Sequence, residues 1–424
     1  MNHDSLSLIT KTALLKFSKL SKKGKPKDSE WTVLSSVFLI NEEKPSDFHI
    51  VSLATGTKCL DGDTRRRSLP GTLLHDSHAE VLARRGLIFW ILGQIELESK
   101  GAKSNFISKC SDGKYEWIRK WRIGMLSTHL PCGDATIFVK PSEDGGDPSE
   151  PERKRRKLDM NSTGAKTVTC DENEEGDLNR TGAKIVTCDE AWGVDLNRTG
   201  AKIVTCDEAG EGDPGLPGLG YHRVGGLRTK PGRGERTLSL SCSDKILKWN
   251  ILGIQGSLCS HLLRDSVYLD CFVIVGNTFN KSSLQRAFYH RVTMKKSDSL
   301  RVHVNEIYHV LGDFLYSKSE ARATPSPDSV VWVEGGEAGL HEALTSGHKQ
   351  GWSTKKLDNP KSWSSLCQRN LCRKFLTILE CKLGLCYGEL KASSPQHNLK
   401  KQIKFDLMKK WPMKGQSDFV INSL

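Results

Sequence analysis

Leu74-His75-Asp76-Ser77-His78-Ala79-Glu80-Val81-Leu82-Ala83-Arg84-Arg85 opens an amphipathic run. Apolar residues at Val81, Ile88, Ile91, Leu92 and Ile95 recur at helical intervals, predicting a helix to about Glu98. Asp76 or Ser77 is a good N-cap, which places His78 and Glu80 in the first turn. Two residues apart on a helix is about 200° of rotation, so the two side chains cannot both ligate one ion well. One ligand and one acid/base group fit that geometry.

A histidine followed two residues later by glutamate is half of a known hydrolytic pattern, in which the histidine holds zinc and the glutamate moves protons. The other half is a pair of cysteines, one of them after a proline. Pro131-Cys132-Gly133-Asp134 supplies that one, and Ser241-Cys242-Ser243-Asp244-Lys245 offers a second. One imidazole and two thiolates with the fourth position left to water form an open catalytic zinc site, which supplies a nucleophile near neutral pH. A carboxylate that is not a ligand then shuttles the protons. His78, Cys132, Cys242 and Glu80 are the residues this chemistry selects. Ala135 stands three positions after Cys132, so the compact Pro-Cys-x-x-Cys spacing is absent. On spacing alone, Cys242 is one choice among a dozen cysteines.

The chain has 424 residues, room for one large domain or two ordinary ones. No run of about 18 apolar residues suggests a membrane span, and Met1 to Lys25 reads as non-secretory. Thirteen scattered cysteines suit a reducing, intracellular setting, nuclear or cytoplasmic, rather than a disulfide scaffold. A net charge of +13 fits either a basic tail or a polyanionic partner, most plausibly nucleic acid. Arg65-Arg66-Arg67 reads most simply as a solvated loop.

Strands are expected at Trp31 to Ile40, His49 to Leu53, Trp121 to Ser127, Tyr268 to Val275 and Val330 to Val333. Lys245 to Leu263 reads as one buried helix, followed by helices near Ser283 to Val292, Leu371 to Leu383 and His397 to Lys410. Strands alternating with helices favour an α/β layered domain. Residues 1–25 read as a variable segment and 26–424 as one domain, interrupted by an acidic, repeat-containing insertion at 141–224. An 18-residue repeat starts at Thr163, Thr181 and Thr199. Its copies are too polar to stack a core, so disorder is expected. Duplication explains the recurrence of Cys170, Cys188 and Cys206 without a metal. Arg153 to Lys157 fits a nuclear-import signal or a plain linker.

His-Ala-Glu at 78–80, Pro-Cys-Gly-Asp at 131–134 and Ser-Cys-Ser-Asp-Lys at 241–245 resemble the motifs of the adenosine deaminases acting on RNA and their tRNA-modifying relatives. The third motif continues through Trp249-Asn250 and Gly253-Ile254-Gln255-Gly256-Ser257, and the likeness spans about residues 30–140 and 225–424. The resemblance implies a cytidine-deaminase-like α/β/α sandwich elaborated into a single RNA-adenosine-deaminase domain, with Cys242 as the second thiolate. It also implies a buried inositol hexakisphosphate at positions matching Arg84, Arg85, Ser239, Lys245, Lys248, Trp249, Ser257, Trp411 and Lys414. The resemblance further implies that Asp76 links the zinc site to a buried lysine. Lys248 and His75 differ from the Arg and Asn of the editing enzymes. Thr57 and Lys58 match RNA contacts near the target nucleotide, and Arg236 matches a phosphate contact. Lys230-Pro231-Gly232-Arg233-Gly234 and the Thr-Gly-Ala-Lys element of the repeat, with no duplex-binding module expected upstream, are similar to the tRNA-specific branch. That branch implies conversion of adenosine to inosine just 3′ of the anticodon of alanine tRNA, with no obligate protein partner. An mRNA-editing enzyme and a catalytically silent RNA-binding homologue are the competing readings.

Overall fold

Two adjacent strands show how the sequence builds layers. In β1 (Leu34–Asn41) Val37 and Leu39 enter one apolar cluster, while Phe38 and Ile40 enter another on the opposite face. β2 (Phe48–Thr55) pairs antiparallel with it, with a register shift that leaves Val51 as the extra residue between the Val37–Ser52 and Phe38–Ile50 pairs. That bulge restores the alternation, since Ile50 and Leu53 face one side and Val51 and Ala54 the other. A sheet buried on both faces needs helices on both sides, and it has them.

The computed structural model describes residues 1, 3–138, 202–203, 224–230, 237–292, 302–335, 339–380, 386–402 and 418–420. The first two repeats, all of the third except Lys202 and Ile203, and the Arg153 to Lys157 cluster lie outside these, as do Arg236, Trp411 and Lys414. Of the expected insertion, only a two-residue strand at Lys202–Ile203 and residue 224 fall within them.

The further strands include β3 (Thr57–Cys59), β4 (Asp76–His78), β5 (Trp121–Ser127), β6 (Arg228–Thr229), β7 (Cys271–Val275), β8 (Glu306–Val310), β9 (Asp328–Val333), β10 (Leu340–Thr345) and β11 (His348–Lys349). The main sheet runs β8-β7-β5-β1-β2-β9-β10-β11. β7 is parallel to both β5 and β8, and the other pairs are antiparallel. β3 and β4 form a separate hairpin. The helices are α1 (His3–Lys19), α2 (Gly62–Arg67), α3 (Ala79–Ser99), α4 (Cys242–Leu252), α5 (Gly256–Leu262), α6 (Lys281–Gln285), α7 (Gln368–Ile378), α8 (Tyr387–Ser393) and α9 (Pro395–Gln402).

α3 lies across one face, burying Leu82, Leu87, Ile91 and Ile95 against the side that holds Val37, Leu39 and Ile274. α1 covers the opposite face with Leu6, Ile9, Ala13 and Phe17. The sequence pattern of residues 1–25 was too weak to announce this helix, yet three of its side chains stabilise the sandwich by roughly 5–9 kcal/mol. No helix among the described residues is long and apolar enough to cross a membrane.

Three local expectations are corrected. The helix bearing Glu80 begins at Ala79 with His78 as its cap residue, not Asp76 or Ser77. Pairing of Thr57 with His78 and Cys59 with Asp76 keeps residues 76–78 extended, so His78 stands outside the helix and only Glu80 occupies its first turn. The helix expected over Lys245 to Leu263 is two, broken at Gly253, whose φ of +84° favours glycine. Arg65 to Arg67 close the short helix α2 rather than a loop; Arg66 and Arg67 are solvent-exposed and share Asp63.

Candidate active site

The site lies where β4 turns into α3, beside the loop after β5 and the start of α4. His78 presents Nδ1 from the end of β4, 3.7 Å from Cys132 Sγ and 3.6 Å from Cys242 Sγ. The three donor atoms all lie within 4.8 Å of one another. Tetrahedral ligation with metal–sulfur and metal–nitrogen bonds near 2.3 and 2.0 Å separates such donors by about 3.6 Å, so the set fits one tetrahedral ion. Cys132 and Cys242 are buried, and His78 is only partly so.

Local sequence explains how the cysteines meet. Ser241 caps α4 by accepting from Asp244 N, which places Cys242 at the helix N-terminus, where partial positive charge favours a thiolate. Cys242 N donates to Cys132 Sγ at 3.3 Å, binding the two motifs across 110 positions. Between them, contact with Cys242 and the charge of Lys230 push the Cys132 thiol well down, whereas burial and that same contact push Cys242 up. Gly133 is required here. Its φ is +104°, and an added Cβ would lie 2.3 Å from Ser241 Oγ. Gly133→Ala is therefore expected to separate the thiols and reduce zinc affinity by at least about tenfold, read by chelator competition on the soluble fraction.

Glu80 is 3% exposed and accepts from Cys242 Sγ at 3.2 Å through Oε2. A buried carboxylate touching one donor, on a different element from the histidine, is placed to exchange protons with whatever occupies the centre of the set.

Beneath the donors sits a charge that the local sequence did not announce. Lys230 is fully buried, although its neighbours are threonine and proline rather than an apolar run. Its Nζ donates to both Asp76 oxygens at 2.9 Å and to Cys242 Sγ at 3.3 Å. Asp76 also accepts from Ser239 Oγ at 2.8 Å, from His78 N at 3.1 Å and from Lys245 Nζ. Burial opposes both charges, but each offsets the other: Lys230 is held well above the ordinary lysine range and Asp76 well below the carboxylate range. The chain thus connects Cys242 through Lys230 and Asp76 to Lys245.

Lys245 leads into a basic cluster. Arg84 lies over the Trp249 ring at 5.2 Å and donates to Ile254 O, while Arg85 donates to Leu366 O. Burial and the adjacent Arg85 push Arg84 down to about 10. Among the described residues, no carboxylate forms an ion pair with either. Ser257 contacts Gln396 of α9, and Lys248 lies close enough to His397 to help lower its pKa, after burial and other lysines. Sequence reasoning missed Lys391 on α8, which burial and then Lys400 and Arg65 lower, and Tyr387, which burial raises. Thr57 and Lys58 lie in the hairpin that carries His78, and Thr57 Oγ1 is a buried hydroxyl with no partner.

An α/β/α sandwich carrying an imidazole, two thiols and a neighbouring buried carboxylate at a helix start is the arrangement of the nucleobase deaminases. The adenosine-deaminase (editase) domain family matches residues 52–415, and the chain belongs to it. It is 30% identical to human tRNA-specific adenosine deaminase 1, over 85% of this chain and 86% of that protein. Identity to the Schizosaccharomyces pombe protein of the same name is 26%, over 97% and 96%. Double-stranded RNA-specific editase Adar of Drosophila melanogaster is 28% identical over 64% of this chain, which is 33% of that relative.

Proposed function

We propose that this protein is a zinc-dependent tRNA adenosine deaminase that forms inosine just 3′ of the anticodon of alanine tRNA. The observation that carries the reading is the convergence of His78, Cys132 and Cys242 on one point with Glu80 against Cys242. It occurs in a chain that aligns along most of the length of proteins named for that tRNA activity. Bound zinc would supply Lewis acidity and bring the pKa of a water near neutrality. Glu80 would take one proton from the attacking water and pass it to the adenine ring nitrogen, then take the second from the added hydroxyl and deliver it to the departing amine, which leaves as ammonia. The helix dipole favours its anionic state between transfers. The unpartnered Thr57 hydroxyl supports a nucleotide contact at the same hairpin, and Lys58 and Arg236 are assigned to RNA as well. The unit carrying this activity runs from residue 26 to 424, with α1 packed against it and 141–224 as an insertion. An intracellular location, nuclear or cytoplasmic, suits the nine described cysteines, none of them in a disulfide.

The same reading places inositol hexakisphosphate in the basic cluster, held by Arg84, Arg85, Lys245, Lys248 and Ser257, with Trp249 beneath Arg84 and Ser239 supporting Lys245. Trp411 and Lys414 are assigned to it as well. Adjacent, half-buried guanidinium groups without carboxylate partners support an anionic occupant, because unpaired charge in such a place is costly. Acid denaturation of purified protein is expected to release an equimolar inositol polyphosphate, detected by mass spectrometry. The Arg84→Gln/Arg85→Gln variant should lose it along with most soluble yield.

The deciding experiment is incubation with an alanine-tRNA transcript, scoring inosine at every adenosine. A single inosine 3′ of the anticodon supports the proposal. Inosine in duplex RNA but not in tRNA would move the assignment to an editing enzyme, and none in either would favour a silent RNA-binding homologue.

A further inference from the structure

Both cysteine motifs carry a buried aspartate. Asp134 follows Cys132 by two residues, Asp244 follows Cys242 by two, and each is 0% exposed. A buried carboxylate must be compensated; both are paired with guanidinium groups from one short segment after α6, and buried Arg228 lies close enough to both for its charge to act on them as well. Arg286 Nε donates to Asp134 Oδ2 at 3.0 Å, and its Nη2 donates to the carbonyls of Asp134 and Ile137 at 2.8 and 2.7 Å. Arg291 Nη2 lies 2.6 Å from Asp244 Oδ1, and its Nη1 donates to Gly226 O at 2.9 Å.

The segment's geometry accounts for the double grip. On an α-helix, residues five apart diverge by about 140° and would not serve neighbouring targets. Arg286–His290 is instead a π-helical turn, with Arg291 N donating to Arg286 O at 3.2 Å, so one wide turn brings residue 291 back over residue 286. The two guanidinium groups then reach the two aspartates together. The same aspartates accept from Gly225 N at 2.6 Å and Arg228 N at 2.9 Å, so the segment leading to Lys230 is held as well. Ser243 joins the motifs directly: its Oγ donates to Pro131 O at 3.0 Å and accepts from Ala135 N at 3.1 Å.

We propose that Arg286 and Arg291 are positioning residues for the catalytic centre, a two-armed clamp that fixes Cys132 and Cys242 opposite His78 through Asp134 and Asp244. Neither arginine contacts a donor sulfur or Glu80. Their effect is on where the thiolates stand, the role outer partners have in metal sites generally. The inference rests on reading His78, Cys132 and Cys242 as metal ligands.

The test uses the full chain with Arg286→Lys, Arg291→Lys and, as a shape-preserving alternative if a lysine variant does not fold, Asp134→Asn. Zinc affinity is measured by chelator competition, the ligand field by the absorption spectrum of the Co2+-loaded protein, and kcat and KM with RNA substrate. The clamp predicts folded variants with zinc affinity and kcat each reduced about 10–100-fold, an altered Co2+ spectrum and an unchanged KM. Adding Asp134→Asn to Arg286→Lys should cost little more, because the two changes break one interaction. Parent-like zinc affinity and Co2+ spectrum with a lowered Tm would reduce the arginines to structural supports and overturn the proposal, as would a raised KM alone. Failure of the parent protein itself to bind zinc or Co2+ would overturn the ligand reading and the clamp together.

Discussion

Replacing Glu80 by glutamine is expected to leave zinc content and RNA affinity intact and to lower kcat by about 10²–10⁴. The side chain is isosteric, 3% exposed and fixed at the start of α3, so the substitution removes an exchangeable proton without opening a cavity. The contact with Cys242 Sγ can persist through the amide oxygen, which keeps the donor set in place. Zinc by elemental analysis, RNA binding by filter retention and single-turnover inosine formation separate the three properties. Parental turnover in the variant would remove Glu80 from proton transfer. Loss of zinc together with activity would instead make it a support of the donor set.

Lys230→Met is the second large effect. The substitution leaves Asp76 buried with Lys245 as its remaining ammonium partner and strips Cys242 of its cationic neighbour. Removing one partner of a buried pair costs about 3–5 kcal/mol, a large part of the roughly 5–15 kcal/mol that holds a domain together. A steep fall in soluble yield and Tm is expected, with weakened zinc binding in whatever folds. Lys245→Met should be milder, since Lys245 is 17% exposed and water can partly replace it. Combining Lys230→Met with Asp76→Asn should recover part of the lost stability by removing the stranded charge. An unchanged Tm in Lys230→Met would show that Asp76 is satisfied without it.

The three motifs were readable because each pairs a chemically scarce residue with a local constraint. Cys132 follows a proline and precedes a glycine that must adopt positive φ, and Cys242 follows the serine that caps its helix. The strand and helix patterns were equally local, so the layered class followed from β1, β2, β7 and α3. Boundaries moved where tertiary partners intervened. Asp76 was a sound N-cap by propensity, but Lys230, 154 positions away, took its carboxylate. The pairing with β3 then drew His78 out of the helix.

By itself, the sequence determined which side chains supply the chemistry and which elements carry them, because residue identity and helical or strand period are properties of short windows. Residue spacing alone did not single out Cys242, which the motif resemblance supplied, and the sequence did not determine that Lys230 is buried beneath the donor set or that Arg286 and Arg291 turn toward both aspartates. Each of those is a meeting between segments tens to more than a hundred residues apart. Only the packed sandwich brings them within bonding distance, and burial then forces every charge among them to find a partner.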